Sequence, residues 1–239
     1  MDKKKLVILS GSGISAESGI STFRGGNGLW DNVPVEEICT DRAWRANPAR
    51  VLEFYNERRA QLASVEPNAA HLLAADLEKD FDVRVITQNV DDLHERAGST
   101  NVLHLHGELT KVRPEDCHCD ADGFSTEYVM DIGYSPIFPG QTGGPHSRQL
   151  RPHIVFFGEA VPNLNAAARI VSGADILLII GTSMQVYPAA SLYRYAPSRC
   201  ELYMIDPEDS PAAIVPGLRH IKQPATLGMR TFCNLLRSR

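Results

Sequence analysis

The chain predicts an open, doubly wound α/β parallel sheet, and three observations carry that reading. Short apolar runs begin at Leu6, Val83, Val102, Ile176 and Leu202, the length of buried parallel strands rather than of helices. Stretches with helical spacing separate them, as an alternation of strands and crossover helices requires. The runs also stop on polar residues: Ser10-Gly11, Gln88-Asn89, His106, Thr182-Ser183 and Asp206. Ligands of such sheets bind outside the carboxyl ends of the strands, so these polar ends predict one shared crevice.

The first run, residues 6–9, ends in S-G-S-G and continues I-S-A-E-S-G. Glycines let the backbone turn tightly there and approach a ligand where a Cβ would collide. A helix opening after the turn would aim its free N–H groups at a pyrophosphate. The spacing of Gly11, Gly13 and Gly19 is not the dinucleotide fingerprint, and a plain connection fits it equally well. Residues 21–26, S-T-F-R-G-G, read as a mobile loop whose Arg24 folds over an anionic ligand.

Asn47-Pro48 opens a helix, with Asn47 as N-cap and Pro48 in the first position. Over 49–63, Val51, Leu52, Phe54, Tyr55, Arg58, Arg59 and Leu62 stand at helical spacing, and Tyr55 and Arg58 share a face. A second helix is expected over 68–79, with Leu72, Leu73 and Leu77 as its apolar stripe. The strand 83–87 runs into polar residues and a helix stopped by Gly98, and a short alternating strand covers 102–107. Between 111 and 150 both periodicities fade while Gly, Pro and Asp accumulate, which marks an inserted small module or long loop. Beyond it come a regular stretch at 151–159, a helix over 163–172, strands at 176–180 and 202–205, and a last helix over 226–237.

With 239 residues the chain makes one large domain or one domain with a small insertion. A hydrophobic content of 43% and a charged content of 22% are those of a soluble globular protein. The net charge of −5 and pI near 5.9 are opposite to a nucleic-acid footprint, so no nucleic-acid partner is expected. No apolar run approaches the roughly 20 residues of a membrane span, and M-D-K-K-K leads straight into the first strand without room for a targeting peptide. The expectation is a cytoplasmic protein with no membrane partner. Cys39, Cys117, Cys119, Cys200 and Cys233 are an odd number, which suits reduced thiols better than a disulfide framework.

Six motifs then stand in order: G-S-G-I-S-A-E-S-G-I at 11–20, T-F-R at 22–24, T-Q-N-V-D at 87–91, H-G-E-L at 106–109, R-P-H-I-V-F-F-G-E at 151–159 and G-T-S at 181–183. With them the chain resembles the sirtuins, NAD-dependent protein-lysine deacylases, from Leu6 to nearly its end. The resemblance implies a Rossmann-type doubly wound domain plus a small inserted module, with the active site between them. Residues 1–30, 80–110 and 151–239 would form the NAD-binding domain. Residues 31–79 would be a helical segment of the small module carrying the acyl pocket, and 111–150 its remainder. The implied cofactor is NAD, and the implied partners are acylated lysine side chains of proteins or peptides. In the implied reaction the acyl oxygen attacks C1′ of the nicotinamide ribose, a histidine activates a ribose hydroxyl, and water releases the amine and 2′-O-acyl-ADP-ribose.

His106 matches that histidine, and an imidazole titrating near neutrality suits proton abstraction. His104, two residues earlier, would lie on the same strand face, so only the motif separates the two. Asn89 and Asp91 complete the implied catalytic set. With Gln88 they match residues that hold the ribose and the carboxamide, and an acid beside an amide complements a carboxamide's donors and acceptor. Gly11, Ser12, Gly13, Ser15 and Glu17 match one wall of the cofactor crevice, and Thr22, Phe23 and Arg24 match the loop beside it. Gly181, Thr182 and Ser183 match the opposite wall, and Asp206 the adenosine end. Val155, Phe156, Phe157, Gly158 and Glu159 match the strand on which the substrate peptide adds by backbone pairing.

Ala16, Thr22 and the pair Tyr55-x-x-Arg58 resemble the sirtuins that remove succinyl and malonyl groups. A guanidinium with a phenol holds a carboxylate, and a small Ala16 leaves room for it. Without the resemblance, Tyr55 reads as a packing residue and Arg58 as a solvated helix charge. The family's small module usually carries zinc on two C-x2-C pairs. Here Cys117-His118-Cys119 is a C-x-C, the next cysteine is Cys200, and His146 and His153 are the other donors. No metal is therefore expected, and packing of Tyr128, Val129, Ile132, Tyr134, Ile137 and Phe138 is expected to hold the module. A plain deacetylase is the same-class alternative. An NAD hydrolase or mono-ADP-ribosyltransferase would turn over without acyl peptide, and a non-catalytic NAD- or ADP-ribose-binding module would need no base at His106.

Overall fold

The structure, a computed structural model, describes residues 3–22, 34–117, 119–120, 123–124, 128–208 and 215–238. The strands are β1 (Lys5–Ser10), β2 (Asp82–Thr87), β3 (Val102–His104), β4 (Gly107–Pro114), β5 (Cys119–Asp120) and β6 (Gly123–Phe124). They continue with β7 (Met130–Asp131), β8 (Thr142–Gly143), β9 (Arg148–Ile154), β10 (Ile176–Ile180), β11 (Glu201–Ile205) and β12 (Arg219–Ile221). The helices are α1 (Val35–Ile38), α2 (Asp41–Ala46), α3 (Pro48–Ser64), α4 (Ala69–Asp76), α5 (Leu93–Arg96), α6 (Leu164–Ser172) and α7 (Ala225–Arg237).

The apolar runs form a parallel sheet in the order β12-β11-β10-β1-β2-β3. Successive side chains of β1 point to opposite faces. Leu6 and Ile8 pack with Ala70, Ala74, Met229 and Phe232 of α4 and α7, while Val7 and Leu9 pack with Ala167 and Val171 of α6. Burial on both faces is why these strands read as continuous apolar runs. Beginning from β1 the chain builds one half of the sheet through β2 and β3, and from β10 the other half, so the order reverses between β1 and β10. That reversal is the switch point at which such sheets bind ligands. The edge strand β12, three residues long, was not foreseen because so short a run carries no period.

A second cluster joins α1, α2 and α3 to an antiparallel sheet of order β7-β4-β9-β8, with Ile38, Trp44, Leu52, Leu62, Val112 and Ile154 at its centre. Helix α3 begins as the sequence implies, with the Asn47 side chain accepting from Arg50 N (3.1 Å) and Pro48 following it. Arg59, buried on α3, donates through Nε to Leu109 O (2.7 Å) and so ties the helix to β4. Among the described residues no helix is long and apolar enough to cross a membrane.

Several local expectations need correction. The stretch 68–79 divides into α4 and a 3-10 turn at Leu77–Lys79, and Leu72 is 53% exposed; Ala70, His71, Ala74 and Leu77 make the buried face instead. Residues 69–79 also pack on the parallel sheet through Ala70, Ala74 and Leu77, not in the cluster of the small module to which 31–79 was assigned. The strand expected over 102–107 stops at His104, and β4 begins at Gly107 with φ +86. A Cβ at Gly107 would run into the His153 carbonyl oxygen, so glycine permits β4 to pair with β9 there. Of the two readings of 111–150, the small module holds: β4 and β9 pair across it in antiparallel register. Of the expected packing residues, Ile137 is buried, Ile132 packs beside it, and Phe138 is 56% exposed.

Candidate active site

Where β1 and β10 end side by side, the loops leaving them pack backbone on backbone. Gly11 N donates to Ile180 O (3.0 Å) and Gly13 N to Gly181 O (2.8 Å). A Cβ on Gly11 would stand 2.8 Å from Gly181 O, and Gly181 itself has φ +64. Glycine at these positions thus permits the close approach of the two loops. Beyond Gly13 the chain makes two 3-10 turns, Ser12–Ile14 and Ala16–Ser18, so the expected helix N-terminus is absent.

These loops open onto a cavity of about 760 Å³, a volume typical of small-molecule sites. Gly11, Ser12, Gly13, Ser15, Glu17 and Thr22 line it from one side, and Gly181, Thr182, Ser183 and Asp206 from the other. Gln88, Asn89, Asp91 and His106 line its middle, and Ala16, Tyr55, Arg58 and 155–159 line the end toward the small module. Phe23 and Arg24, and with them residues 23–26 of the mobile loop expected over 21–26, lie outside the described residues.

The polar middle is locked by its own hydrogen bonds. Ser15 Oγ donates to Asp91 Oδ2 (2.9 Å) and accepts from Asn89 Nδ2 (3.1 Å), which also donates to Gly11 O (3.2 Å). Both amide hydrogens of Asn89 are therefore used, leaving its carbonyl oxygen for a ligand. Burial lifts the Asp91 carboxyl to about 6, against the bonds from Ser15 and Leu93 N that favour its charge. Gln88 Nε2 donates to Thr182 Oγ1 (3.1 Å), joining the ends of β2 and β10.

Partners distinguish the two histidines that the motif alone had separated. His104 Nδ1 contacts Asn89 O (2.9 Å) and Nε2 contacts Glu95 Oε1 (2.9 Å). Carbonyl and carboxylate oxygens only accept, so both ring nitrogens carry protons. Burial pulls the His104 pKa down, but the Glu95 pairing outweighs it and holds it above the ordinary value. His106 has one such partner, Gln88 O at 3.0 Å from Nδ1. Its proton sits on Nδ1, Nε2 keeps a lone pair at the cavity, and burial lowers its pKa. Of the two, only His106 can act as a base at neutral pH.

Two cavity-lining carboxylates already have protein partners. Glu17 caps α7, its carboxylate accepting from Thr226 N (2.8 Å) and Thr226 Oγ1 (2.7 Å). Glu159 accepts from Arg151 Nη1 (2.7 Å) and from Phe156 N (2.7 Å). Asp206 accepts from Glu208 N (2.9 Å), and burial raises its pKa. The stretch 155–159 is not a regular strand: Phe157 makes an isolated bridge with Thr40, and Gly158 has φ +92. The N–H groups of Val155, Phe156, Phe157 and Glu159 go to His106 O, Glu159 Oε2, Cys39 O and Phe156 O. A peptide adding along these four positions has to donate its own N–H groups.

At the acyl end, Tyr55 OH donates to Cys39 Sγ (3.3 Å), and burial raises the pKa of both. Arg58 pairs with exposed Glu57 through Nη1 (3.0 Å), while its buried Nε makes no hydrogen bond. Cys39, Gln61, Gln185 and Tyr187 also line the cavity and were missed, because none stands at a strand end or in a motif. Among the described residues no group of three or more His, Cys, Asp or Glu is placed to share a metal. His118 and the side chain of Cys119 lie outside the described residues. His146 is exposed, and burial, then Arg113, lowers His153 to about 3.

Fold and cavity together define a class: a doubly wound nucleotide-binding α/β protein whose switch-point crevice meets a small antiparallel sheet and is lined by a histidine. The Sir2 family pattern matches residues 11–188. The NAD-dependent protein deacylase of Bacteroides thetaiotaomicron is 48% identical over 236 residues, 98% of each chain. A protein of that name from Aggregatibacter actinomycetemcomitans is 52% identical over 204 residues, 84% of this chain and 92% of the other. A solved Sir2 homologue–NAD complex is 36% identical with a TM-score of 0.85, covering 99% of this chain and 90% of that one. A mutant Sir2 homologue–ADP-ribose complex, also 36% identical, reaches 0.89 over 99% and 93%. The chain belongs to the Sir2 family. Its residues fit NAD: the cavity spans the switch point, and Asn89 and Asp91 set an amide oxygen and an acid together in its wall.

Proposed function

We propose that this chain removes acidic acyl groups, succinyl and malonyl, from lysine side chains, with Tyr55 and Arg58 forming the carboxylate pocket. It is an NAD-dependent protein deacylase of the Sir2 family. When bound, NAD supplies an electrophilic ribose carbon with nicotinamide as leaving group. Asn89 and Asp91, held by Ser15, orient the ribose and carboxamide, and Gln88 fixes His106 through its backbone carbonyl. His106 Nε2 would accept a proton from a ribose hydroxyl, while Nδ1 stays hydrogen-bonded to Gln88 O. The substrate lies along 155–159, and the proposed division sets an NAD-binding domain (1–30, 80–110, 151–239) against a small module from 31–79 and 111–150. The core packing supports that division except at 69–79. Free thiols at Cys39, Cys117, Cys200 and Cys233 agree with a cytoplasmic location.

The observation that carries the acyl reading is the unpaired Arg58 Nε in the cavity wall. A buried donor without a partner costs about 1–3 kcal/mol, which an acyl carboxylate would offset. Tyr55 donates to a thiol, a weak acceptor, and a carboxylate would displace that bond. Mass spectrometry of succinyl- and acetyl-lysine peptides, with and without NAD, tests this on the parent and on Arg58→Met. The succinyl group should leave faster, and Arg58→Met should cut desuccinylation about tenfold more than deacetylation. Equal losses would remove the pocket from the account. Nicotinamide release without acyl loss would favour the hydrolase or transferase alternative.

A further inference from the structure

Phe156–Glu159 is a tight turn closed twice by one residue. Glu159 N donates to Phe156 O (3.0 Å), and Glu159 Oε2 accepts from Phe156 N (2.7 Å). The carboxylate therefore holds both ends of the turn, whose middle carries Phe157 and Gly158 at φ +92. The same carboxylate is gripped from beneath by two buried guanidiniums. Arg151 binds it as a fork, Nη1 at 2.7 Å and Nη2 at 3.2 Å, and Arg113 Nη2 stands at 3.6 Å. Arg151 is fixed in turn over the Phe156 ring at 3.9 Å and donates to Ile154 O (3.2 Å). Phe156 stacks on Tyr55 at 6.0 Å, so the ion cluster reaches the acyl pocket through one ring.

We infer that Glu159 is a positioning residue: locked by Arg151 and Arg113, its carboxylate fixes the shape of the turn on which the acyl-lysine substrate lies, without touching that substrate. This rests on the reading of 155–159 as the substrate-lining segment. A planar fork on a carboxylate sets direction as well as distance, which a turn lined with glycine needs. Replacing Glu159 leaves two buried guanidiniums without their anion, and replacing Arg151 leaves the carboxylate with only Arg113 and Phe156 N, so the turn loosens while the crevice at the switch point, made by other strands, keeps its form.

The test is steady-state kinetics on succinyl- and acetyl-lysine peptides with E159Q, R151Q, their double variant, R151K and F157A, each with its KM for NAD. Both single variants should raise the peptide KM about tenfold with the NAD KM within about twofold of the parent. The double variant should be no worse than the worse single, because both disrupt one ion pair. R151K, which keeps the charge but loses the fork, should show a smaller rise in the same parameter. Multiplying effects, or a rise with E159Q and none with R151Q, would mean a direct substrate contact and overturn the inference. If E159Q does not fold, R151K decides, and an unchanged peptide KM overturns it. An unmoved peptide KM in F157A removes the substrate reading and this inference together. A rise in F157A with none in the Glu159 and Arg151 variants removes the inference alone.

Discussion

His104 and His106 are the same side chain two residues apart, and their hydrogen-bond partners give them opposite states. His104 has an acceptor at each nitrogen, which favours its charged form; His106 has one only at Nδ1, and burial favours its neutral form. His106→Ala should lower kcat by about a hundredfold or more, and the acid limb of the parent rate profile should lie below the ordinary histidine value of about 6.5 because burial lowers the His106 pKa. An acid limb above that value would contradict the assignment. Asp91 works the other way. Its folded pKa, about 6, exceeds that of an unfolded aspartate, so its contribution to stability is full below the unfolded value and is lost as pH rises through 6. Asp91→Asn should therefore gain on the parent by up to roughly 2–3 kcal/mol near pH 8 and by nothing near pH 3. Urea unfolding at the two pH values reads the difference, and deacylation should fall in the same variant.

At the scale of elements, caps and close approaches set the site's walls. Helix α3 carries Tyr55 and Arg58, and its first turn is held by the Asn47 side chain. Asn47→Ala should cost about 1 kcal/mol of stability and leave the NAD KM unchanged; a shift in that KM would mean that α3 reaches the cofactor crevice. The β1 and β10 loops depend on glycine at Gly181, where a side chain would strain φ and run into Gly13 and Ile14. Gly181→Ala should push those loops apart and raise the NAD KM by about tenfold or more, with less effect on the peptide KM. A lowered thermal midpoint with an unmoved NAD KM would confine the contact to stability.

At the scale of the whole fold, three buried neutral histidines among the described residues couple folding to pH. Burial lowers His71 to about 4 and His153 to about 3, and holds His94 well below the ordinary value. His71 and His94 face each other edge to face at 5.0 Å, with His104 the next charge, while His153 lies against Arg113. Their folded pKa values are depressed, so the stability they allow is complete above the unfolded value near 6.5 and is lost as pH falls toward the folded values. Each costs about 1.4 kcal/mol per pH unit in that window. Stability should fall steeply between roughly pH 6.5 and pH 4, and His153→Asn should flatten the slope by one proton, as urea unfolding across that range would show.

The parallel sheet was legible because burial on both faces leaves nothing but apolar residues, and the binding crevice because polar residues mark where those strands stop. Asn47-Pro48 similarly announced α3, since cap and first turn are adjacent in the chain. The pairing of β4 with β9 was not legible, because it joins residues far apart in sequence, such as Glu108 and His153, and short paired segments carry no period of their own. Roles that depend on a partner also stayed hidden. The partners of Glu17 and Glu159, Thr226 for one and Arg151 for the other, appear only in the tertiary structure. His104 and His106 became distinguishable once Glu95 stood beside the first. The sequence by itself determined which segments form the parallel sheet and that its strand ends share one crevice. Which of the side chains there remain available to a ligand was decided by contacts made across the fold, because a polar group's chemistry depends on what already satisfies it.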